Sequence, residues 1–264
     1  MKSLWISLFL FVAGITASHA AIVTKNIDYP VEGTLMKGYM AYDDAIKGQR
    51  PGILVVHEWW GLNDYARKRA RMLAKLGYTA FALDMYGGGK QAKHPDDANK
   101  FSSAVMKNLP LAKARFTGAL DILRKEKTVD PQRIAAIGYC FGGGVVLEMA
   151  RSGIDLARVA SFHGMLATAN PVHEGAVKIK ILVMTGADDP FVPPEQVDNF
   201  KKEMDAAKVD YKLIVYPGAK HSFTNPGADK YGKEFKLPLA YNKEADEASW
   251  KEMQAFFQQI FKKD

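Results

Sequence analysis

The sequence contains a single cysteine, Cys140, among 264 residues. One cysteine cannot form a disulfide within the chain, which excludes the small disulfide-stapled scaffolds and leaves a hydrophobic core to hold the fold. The chain also lacks a Ser/Pro-rich or charge-block linker and any internal repeat. Its length is ample for burying a core of its own, so these absences predict one domain.

Several familiar motifs are incomplete. His57-Glu58 lacks the second histidine of a zinc-protease motif, because Gly61 stands in its place. Residues 87–90 do not match a phosphate-binding loop, and residues 142–144 are not followed by the third glycine of a dinucleotide fingerprint. We therefore expect no metal and no cofactor. Three histidines have no metal-ligand spacing and are interpreted as surface or structural: His94, His163 and His173.

The charge is moderately basic, with 36 Lys and Arg against 29 Asp and Glu and a formal net charge of +7. The excess is scattered through predicted helices and the C-terminal tail. It could draw anionic substrates toward the protein, but no basic segment is paired with aromatics in a nucleic-acid motif. We expect a small-molecule substrate, no nucleic-acid partner and a monomer.

The N-terminus has the layout of a secretory signal peptide. Met1-Lys2 precedes an apolar run over residues 4–15 and a small-residue segment over residues 17–21. The apolar run is shorter than the roughly 20 residues of a spanning helix. We predict a signal peptide over residues 1–20, an exported, periplasmic domain over residues 21–264 and no membrane attachment after cleavage; an uncleaved anchor is the alternative.

Hydrophobic patterning predicts alternating strands and helices. Apolar residues recur every three or four positions, as from Leu109 to Leu123 and from Trp250 to Ile260, which is typical of helix faces. The fold class is therefore α/β, a doubly wound, mostly parallel sheet with helices on both faces. The strands are predicted near residues 22–28, 35–42, 52–57, 78–83, 132–138, 157–163, 180–185 and 210–216.

The segment from Gly138 to Gly143 lies between a run of strand formers and a helix-like run. A strand, a tight turn and a helix around G-x-C-x-G form the pattern of a nucleophile elbow, with Cys140 in the place of the usual serine. The helix N-terminus favours a thiolate, and the Phe141 amide is positioned to donate to an oxyanion. The alternative is that a lone cysteine is simply a small buried hydrophobe.

Candidates for an acid and a base follow the cysteine in the order that such a site requires. The strand over residues 180–185 leads to Asp188 and Asp189, and the strand over residues 210–216 leads to His221. Asp189 alone satisfies a G-x-x-D-x-x-V-P spacing, whereas Asp188 fits a solvated or turn-bonding residue, and the sequence leaves both open. Cys140 would attack an acyl carbon, His221 would move the proton, and the aspartate would orient the imidazole.

A second oxyanion donor is expected in the loop after an early strand. Residues 57–63 supply that loop, and the backbone N–H of Trp59 is the candidate. Trp59 and Trp60 could equally be core or lid aromatics.

Together these residues resemble the dienelactone hydrolases, that is, carboxymethylenebutenolidase-like α/β-hydrolases with a Cys-Asp-His triad. The resemblance runs from about Ile22 to Phe261. It implies an α/β-hydrolase fold and makes Trp60, Tyr86 and Ser222 substrate-binding candidates. The segments that carry it are residues 57–63, 84–86, 138–143, 189–193 and 218–223.

The resemblance also implies that Glu58 contacts the resting thiol and gates it, although a carboxylate that is merely hydrogen bonded in a loop is the alternative. The arginines that hold a lactone carboxylate in this family are missing, with Gly88 and Asn225 in their places. Lys90 or Lys220 could supply a point charge, but neither has the bidentate fork of arginine.

We therefore expect an exported hydrolase that opens a small ester or lactone through a cysteine acyl-enzyme. A thioesterase or small-peptide acyl hydrolase would use the same groups. A catalytically silent fold that binds a ligand or a protein is a third hypothesis.

Overall fold

The computed structural model describes residues 21–259. The predicted signal peptide, residues 1–20, lies outside the described residues. Within them, no helix has both the length and the apolar content needed to cross a membrane.

The described chain contains eight strands and seven helices, with most of the helices lying between strands. The strands are β1 (Ile22–Val31), β2 (Thr34–Asp43), β3 (Arg50–Val56), β4 (Thr79–Leu83), β5 (Val129–Tyr139), β6 (Arg158–Phe162), β7 (Lys180–Gly186) and β8 (Tyr211–Tyr216). The helices are α1 (Asp64–Lys75), α2 (Pro95–Met106), α3 (Leu109–Lys125), α4 (Phe141–Arg151), α5 (Pro194–Ala206), α6 (Ala228–Phe235) and α7 (Lys243–Gln258).

The strands form one sheet in the order β1-β2-β4-β3-β5-β6-β7-β8. The pairs β1–β2 and β2–β4 are antiparallel, and every pair from β4 to β8 is parallel. The predicted α/β class, with a mostly parallel sheet, is confirmed. All eight predicted strands are present, with ends that differ by a few residues.

Two hydrophobic cores cover the faces of the sheet, because alternate residues of each buried strand point to opposite sides. On one face, Leu54 and Val56 of β3 pack with Phe116 of α3 and with residues of α4 and α5. On the other, Ile53 and Val55 pack with residues of α1 and α7. Truncating a side chain such as Phe116 to alanine is expected to cost about 3–5 kcal/mol.

The strand order places a topological switch beside β3. From β3 the chain moves outward to β4 and later returns to β5 on the other side. In open α/β sheets a crevice forms outside the carboxyl ends of the strands at such a point. The loop that follows β3 and the turn that follows β5 therefore meet there.

Candidate active site

Cys140 occupies the tight turn between β5 and α4. Its backbone has φ 54° and ψ −117°, a left-handed conformation that is costly for a residue with a side chain. A Cβ at Gly138 would overlap the carbonyl of Gly142, and a Cβ at Gly142 would overlap the carbonyl oxygen of Val56. Glycine is therefore required at both positions, because any side chain there would overlap neighbouring backbone atoms.

His221 and Asp189 form a buried pair after β8 and β7. The Nδ1 of His221 lies 2.8 Å from Oδ2 of Asp189, and the other carboxylate oxygen accepts the Phe191 backbone N–H at 2.9 Å. Both side chains are buried. Asp188 is exposed, so the sequence ambiguity between the two aspartates is resolved geometrically: the imidazole contacts Asp189.

The surroundings of His221 favour its charged form. Burial lowers the pKa of His221, but the negative charge of the Cys140 thiolate and hydrogen bonds to Asp189 and Cys140 outweigh burial and raise the pKa to about 10. A cationic imidazole beside the sulfur is the environment in which a thiolate is stable.

A cavity of about 290 Å³ opens over Cys140 and His221. No lysine or arginine is among its described lining residues. Lys90 and Lys220, the possible point charges, are exposed outside it. The lining residues are Trp59, Asn99, Ser102, Ser103, Met106, Cys140, Phe141, Gly144, Met165, Phe191, His221 and Leu239.

Two backbone N–H groups remain available beside this cavity. Phe141 is the first residue of α4, so its N–H has no partner within the helix. Among residues 21–259, neither this N–H nor that of Trp59 donates to a backbone acceptor in a loop or turn. The Tyr86 hydroxyl donates to the Trp59 carbonyl at 2.8 Å and so restrains the backbone of the loop at Trp59.

Glu58 is buried in the loop after β3 and bonds to the segment that carries His221. Asn225 Nδ2 donates to Glu58 Oε2 at 2.6 Å. Burial raises the pKa of the Glu58 carboxyl, while hydrogen bonds from Ser222 and Asn225 oppose the shift. Asn225, at the position of a missing family arginine, therefore holds Glu58, and the gating of the thiol by Glu58 stays a prediction.

The three predicted substrate-binding side chains lie outside the lining of the cavity. Trp60 is buried and stacks on Tyr231, with ring centroids 4.5 Å apart. Tyr86 is buried behind Trp59, and Ser222 is buried beside Glu58. The family resemblance made them candidates, but it did not give the direction of their side chains.

One residue that contacts Cys140 was not among the site residues predicted from the sequence. His163, interpreted as surface or structural, follows β6 and is fully buried. Its Nδ1 accepts the backbone N–H of Cys140 at 3.0 Å. The available signal was its position at the carboxyl end of a parallel strand next to β5, because those ends meet at one edge of the sheet.

The strained turn of Cys140 follows β5, Asp189 follows β7 and His221 follows β8, all at the carboxyl edge of a doubly wound sheet. This is the arrangement of an α/β-hydrolase. A family model described as "Dienelactone hydrolase family" matches residues 36–261. The chain therefore belongs to the dienelactone hydrolase family.

Similar proteins extend over most of the chain. "Protein usf" of Aquifex pyrophilus is 30% identical over 206 residues, which are 76% of this chain and 87% of that protein. A crystal structure of a dienelactone hydrolase-like promiscuous phosphotriesterase from metagenomic libraries is 34% identical, with a TM-score of 0.84, covering 92% of this chain and 100% of that one. A structure titled "m3DLH" is 36% identical, with a TM-score of 0.86 and the same coverage.

Proposed function

We propose that this member of the family hydrolyses small uncharged esters or lactones through an acyl-enzyme on Cys140. The observation that carries the proposal is that Cys140 and the Asp189-paired His221 line one cavity at the carboxyl edge of the sheet. The strained backbone of Cys140 adds support, because strain of this kind is typical of functional positions.

The proposed reaction has two halves. The Cys140 thiolate attacks the acyl carbon, and the developing oxyanion accepts hydrogen bonds from the N–H groups of Trp59 and Phe141. His221 gives its proton to the leaving oxygen, which departs as an alcohol. Water then attacks the thioester while His221 accepts its proton, and the acid and the free thiolate are regenerated. Asp189 holds the imidazole through Nδ1 and stabilises its charge.

The lining of the cavity supports an uncharged substrate. The lining residues include Met165, Phe191 and Leu239, which offer apolar contact, whereas Asn99 and Ser102 offer neutral polar groups. A substrate carboxylate would lose water there without meeting a lysine or arginine, since the charge of His221 is already paired with Asp189 and the Cys140 thiolate, and burying an unpaired charge is costly. Lactones with a free carboxylate are therefore expected to be poor substrates.

Initial rates on paired substrates test this proposal. A neutral aryl ester should be hydrolysed with a kcat/KM at least about tenfold above that of its carboxylate-bearing analogue, a difference of about 1.4 kcal/mol in transition-state binding. Turnover of the neutral ester should vanish in Cys140→Ala. Equal background rates in the wild type and the variant would instead support a silent binding fold. Thioester and amide analogues, assayed beside the ester, separate the thioesterase and peptide-hydrolase alternatives.

Phosphotriester hydrolysis is a second candidate activity. The similar phosphotriesterase is 34% identical and covers 92% of this chain, and a cavity lined by no lysine or arginine suits a neutral triester. A tetrahedral phosphorus centre would place its oxygen toward the same two N–H groups. Release of an aryl alcohol from a dialkyl aryl phosphate, lost in Cys140→Ala, would support this activity; the absence of release with an intact esterase would exclude it.

We also propose that Glu58 gates the thiol. Its buried carboxyl has a raised pKa and is hydrogen bonded to the loop that carries His221. A movement of Glu58 would therefore shift the loop that positions the His221 imidazole beside the Cys140 sulfur. Glu58→Gln keeps an acceptor for Asn225 but cannot ionise. Alkylation of the resting thiol should change in rate in Glu58→Gln; an unchanged rate would contradict a gate.

Export remains part of the proposal. Its support is the order of charged, apolar and small residues over residues 1–21. N-terminal sequencing of the protein from a periplasmic extract should begin at Ala21. Recovery of the intact N-terminus in a membrane fraction would favour an anchor.

A further inference from the structure

His163 contacts the nucleophile turn from behind. Cys140 lies at the junction of β5 and α4, and its N–H is shared between the Phe162 carbonyl and His163 Nδ1, each at 3.0 Å. The backbone of His163 is itself left-handed, at φ 41°, and its own N–H donates to the Met184 carbonyl at 2.7 Å. Two residues with strained backbones, Cys140 and His163, therefore lie at the ends of neighbouring strands and are joined by a hydrogen bond.

The other nitrogen of His163 reaches the loop that carries the base. Its Nε2 lies 2.7 Å from Thr224 Oγ1, and Thr224 is three residues beyond His221. The Thr224 hydroxyl is hydrogen bonded to the Tyr65 hydroxyl at 2.6 Å, and the latter accepts from Arg69 Nε at 3.2 Å. A continuous chain of hydrogen bonds thus joins the Cys140 backbone to α1 through the His221 loop.

The ring of His163 also packs against the base itself. The centroids of the His163 and His221 rings are 5.4 Å apart, and the Phe223 ring lies 5.2 Å from His163 on the same loop. His163 therefore contacts both the turn that positions the sulfur and the loop that positions the imidazole.

Only a neutral His163 can make these contacts. Because Nδ1 accepts the Cys140 N–H, the ring proton must lie on Nε2, from which it is donated to Thr224. Burial, followed by the charges of His221 and Arg69, lowers the pKa of His163 well below its ordinary value. Burial and the neighbouring cations thus keep Nδ1 unprotonated and able to accept the Cys140 N–H.

We propose that His163 is a positioning residue that sets the alignment of the Cys140 sulfur with the His221 imidazole. It touches no substrate and acts through the two groups that it joins. The inference rests on the proposed function, since alignment matters only if this sulfur and this imidazole react together. A misplacement of about 1 Å between such groups can cost roughly 100-fold in rate.

Thr224 offers a matched pair of variants for the test. Thr224→Val keeps the shape of the side chain and removes the acceptor for His163, whereas Thr224→Ser keeps the hydroxyl. A second pair acts at the histidine. The asparagine side chain in His163→Asn tolerates a left-handed backbone and keeps an acceptor for the Cys140 N–H, whereas His163→Phe keeps a ring without the acceptor. Each variant is measured in three ways: kcat and KM on a neutral aryl ester, the pH profile of Cys140 alkylation by iodoacetamide, and Tm.

Positioning predicts a specific pattern. In Thr224→Val and His163→Phe, kcat should fall at least about tenfold with KM within about twofold, and the pH profile of Cys140 alkylation should move away from that of the wild type. Thr224→Ser should match the wild type, and His163→Asn should retain more kcat than His163→Phe.

Alkylation separates this proposal from the proposed function. If no ester is hydrolysed but the alkylation profile still moves in Thr224→Val and not in Thr224→Ser, the positioning role stands and the hydrolase proposal fails. If folded Thr224→Val and His163→Phe keep the wild-type profile and kcat and only Tm falls, His163 is merely structural and the inference is overturned.

Discussion

At the residue scale, the neighbouring residues Asp188 and Asp189 should differ sharply in their effect on activity, because only Asp189 contacts the imidazole. Asp189→Asn removes the charge that faces His221 Nδ1 and offers an amide that can stabilise the wrong tautomer, so we expect kcat to fall by about 10³- to 10⁴-fold. Asp188→Asn changes an exposed side chain and should leave kcat nearly unchanged. Stopped assays on one aryl ester measure both. The reverse ranking would contradict the assigned acid.

The raised pKa of His221 predicts how stability depends on pH. Because the folded value of about 10 lies above the unfolded value of about 6.5, the contribution is fully present below pH 6.5 and is lost as pH rises toward 10. Urea unfolding should therefore show the wild type losing stability between pH 6.5 and 10.

Cys140→Ala is the control for this pH dependence, because it removes the thiolate that contributes most to raising the pKa of His221. Its unfolding free energy should decline less over the same pH range. Parallel declines in the two proteins would show that the sulfur does not charge the imidazole.

The sequence predicted which residues follow which strands better than it predicted the direction in which side chains point. Cys140, Asp189 and His221 could be singled out because each follows a recognisable strand in a fixed order. The sequence could not show that Trp60 turns away from the cavity or that His163 turns toward Cys140. Those directions depend on contacts between segments distant in the chain, such as the Tyr231 ring on Trp60.

At the element scale, the turn into α4 depends on the absence of side chains. In Gly142→Ala the new Cβ would overlap the Val56 carbonyl oxygen and lie 2.6 Å from that of His57, both backbone atoms that cannot turn aside. Overpacking of this kind costs about 1–3 kcal/mol or more, so Tm should fall by several degrees.

Gly144→Ala is the matched control on the same helix. Its nearest contact would be the Met165 side chain at 3.7 Å, and alanine favours helix over glycine by roughly 0.5–1 kcal/mol. Thermal unfolding should show an equal or higher Tm. A loss of stability equal to that of Gly142→Ala would contradict the steric account.

All eight strands could be predicted because buried parallel strands are continuous apolar runs bounded by turn residues. The order of those strands in the sheet could not be predicted from such local patterns. The position of β3 between β4 and β5 brings the loop after β3 to the Cys140 turn, and this arrangement depends on long-range pairing.

At the scale of the whole molecule, the formal net charge is +7, but no lysine or arginine is among the described residues that line the cavity. Met165 stands at the cavity and is 40% exposed, so a cation there would meet a substrate carboxylate in partly solvated surroundings. Met165→Lys should raise kcat/KM for a carboxylate-bearing ester by a few-fold, since exposed ion pairs contribute about 0.2–1 kcal/mol.

Met165→Gln is the neutral control and should leave the carboxylate-bearing ester as poor a substrate as before. Comparable rates for both esters in the wild type would show that the absence of a lining lysine or arginine does not decide which substrate charge is accepted.

The acyl-enzyme is tested most directly by intact mass. The protein is mixed with a slowly hydrolysed neutral ester, quenched in acid at successive times and digested to locate any label. We predict one transient acyl group per chain, on the peptide that contains Cys140. In His221→Ala the same acyl group should accumulate far more slowly. Turnover with no acyl group on Cys140, or a label on another residue, would contradict the account.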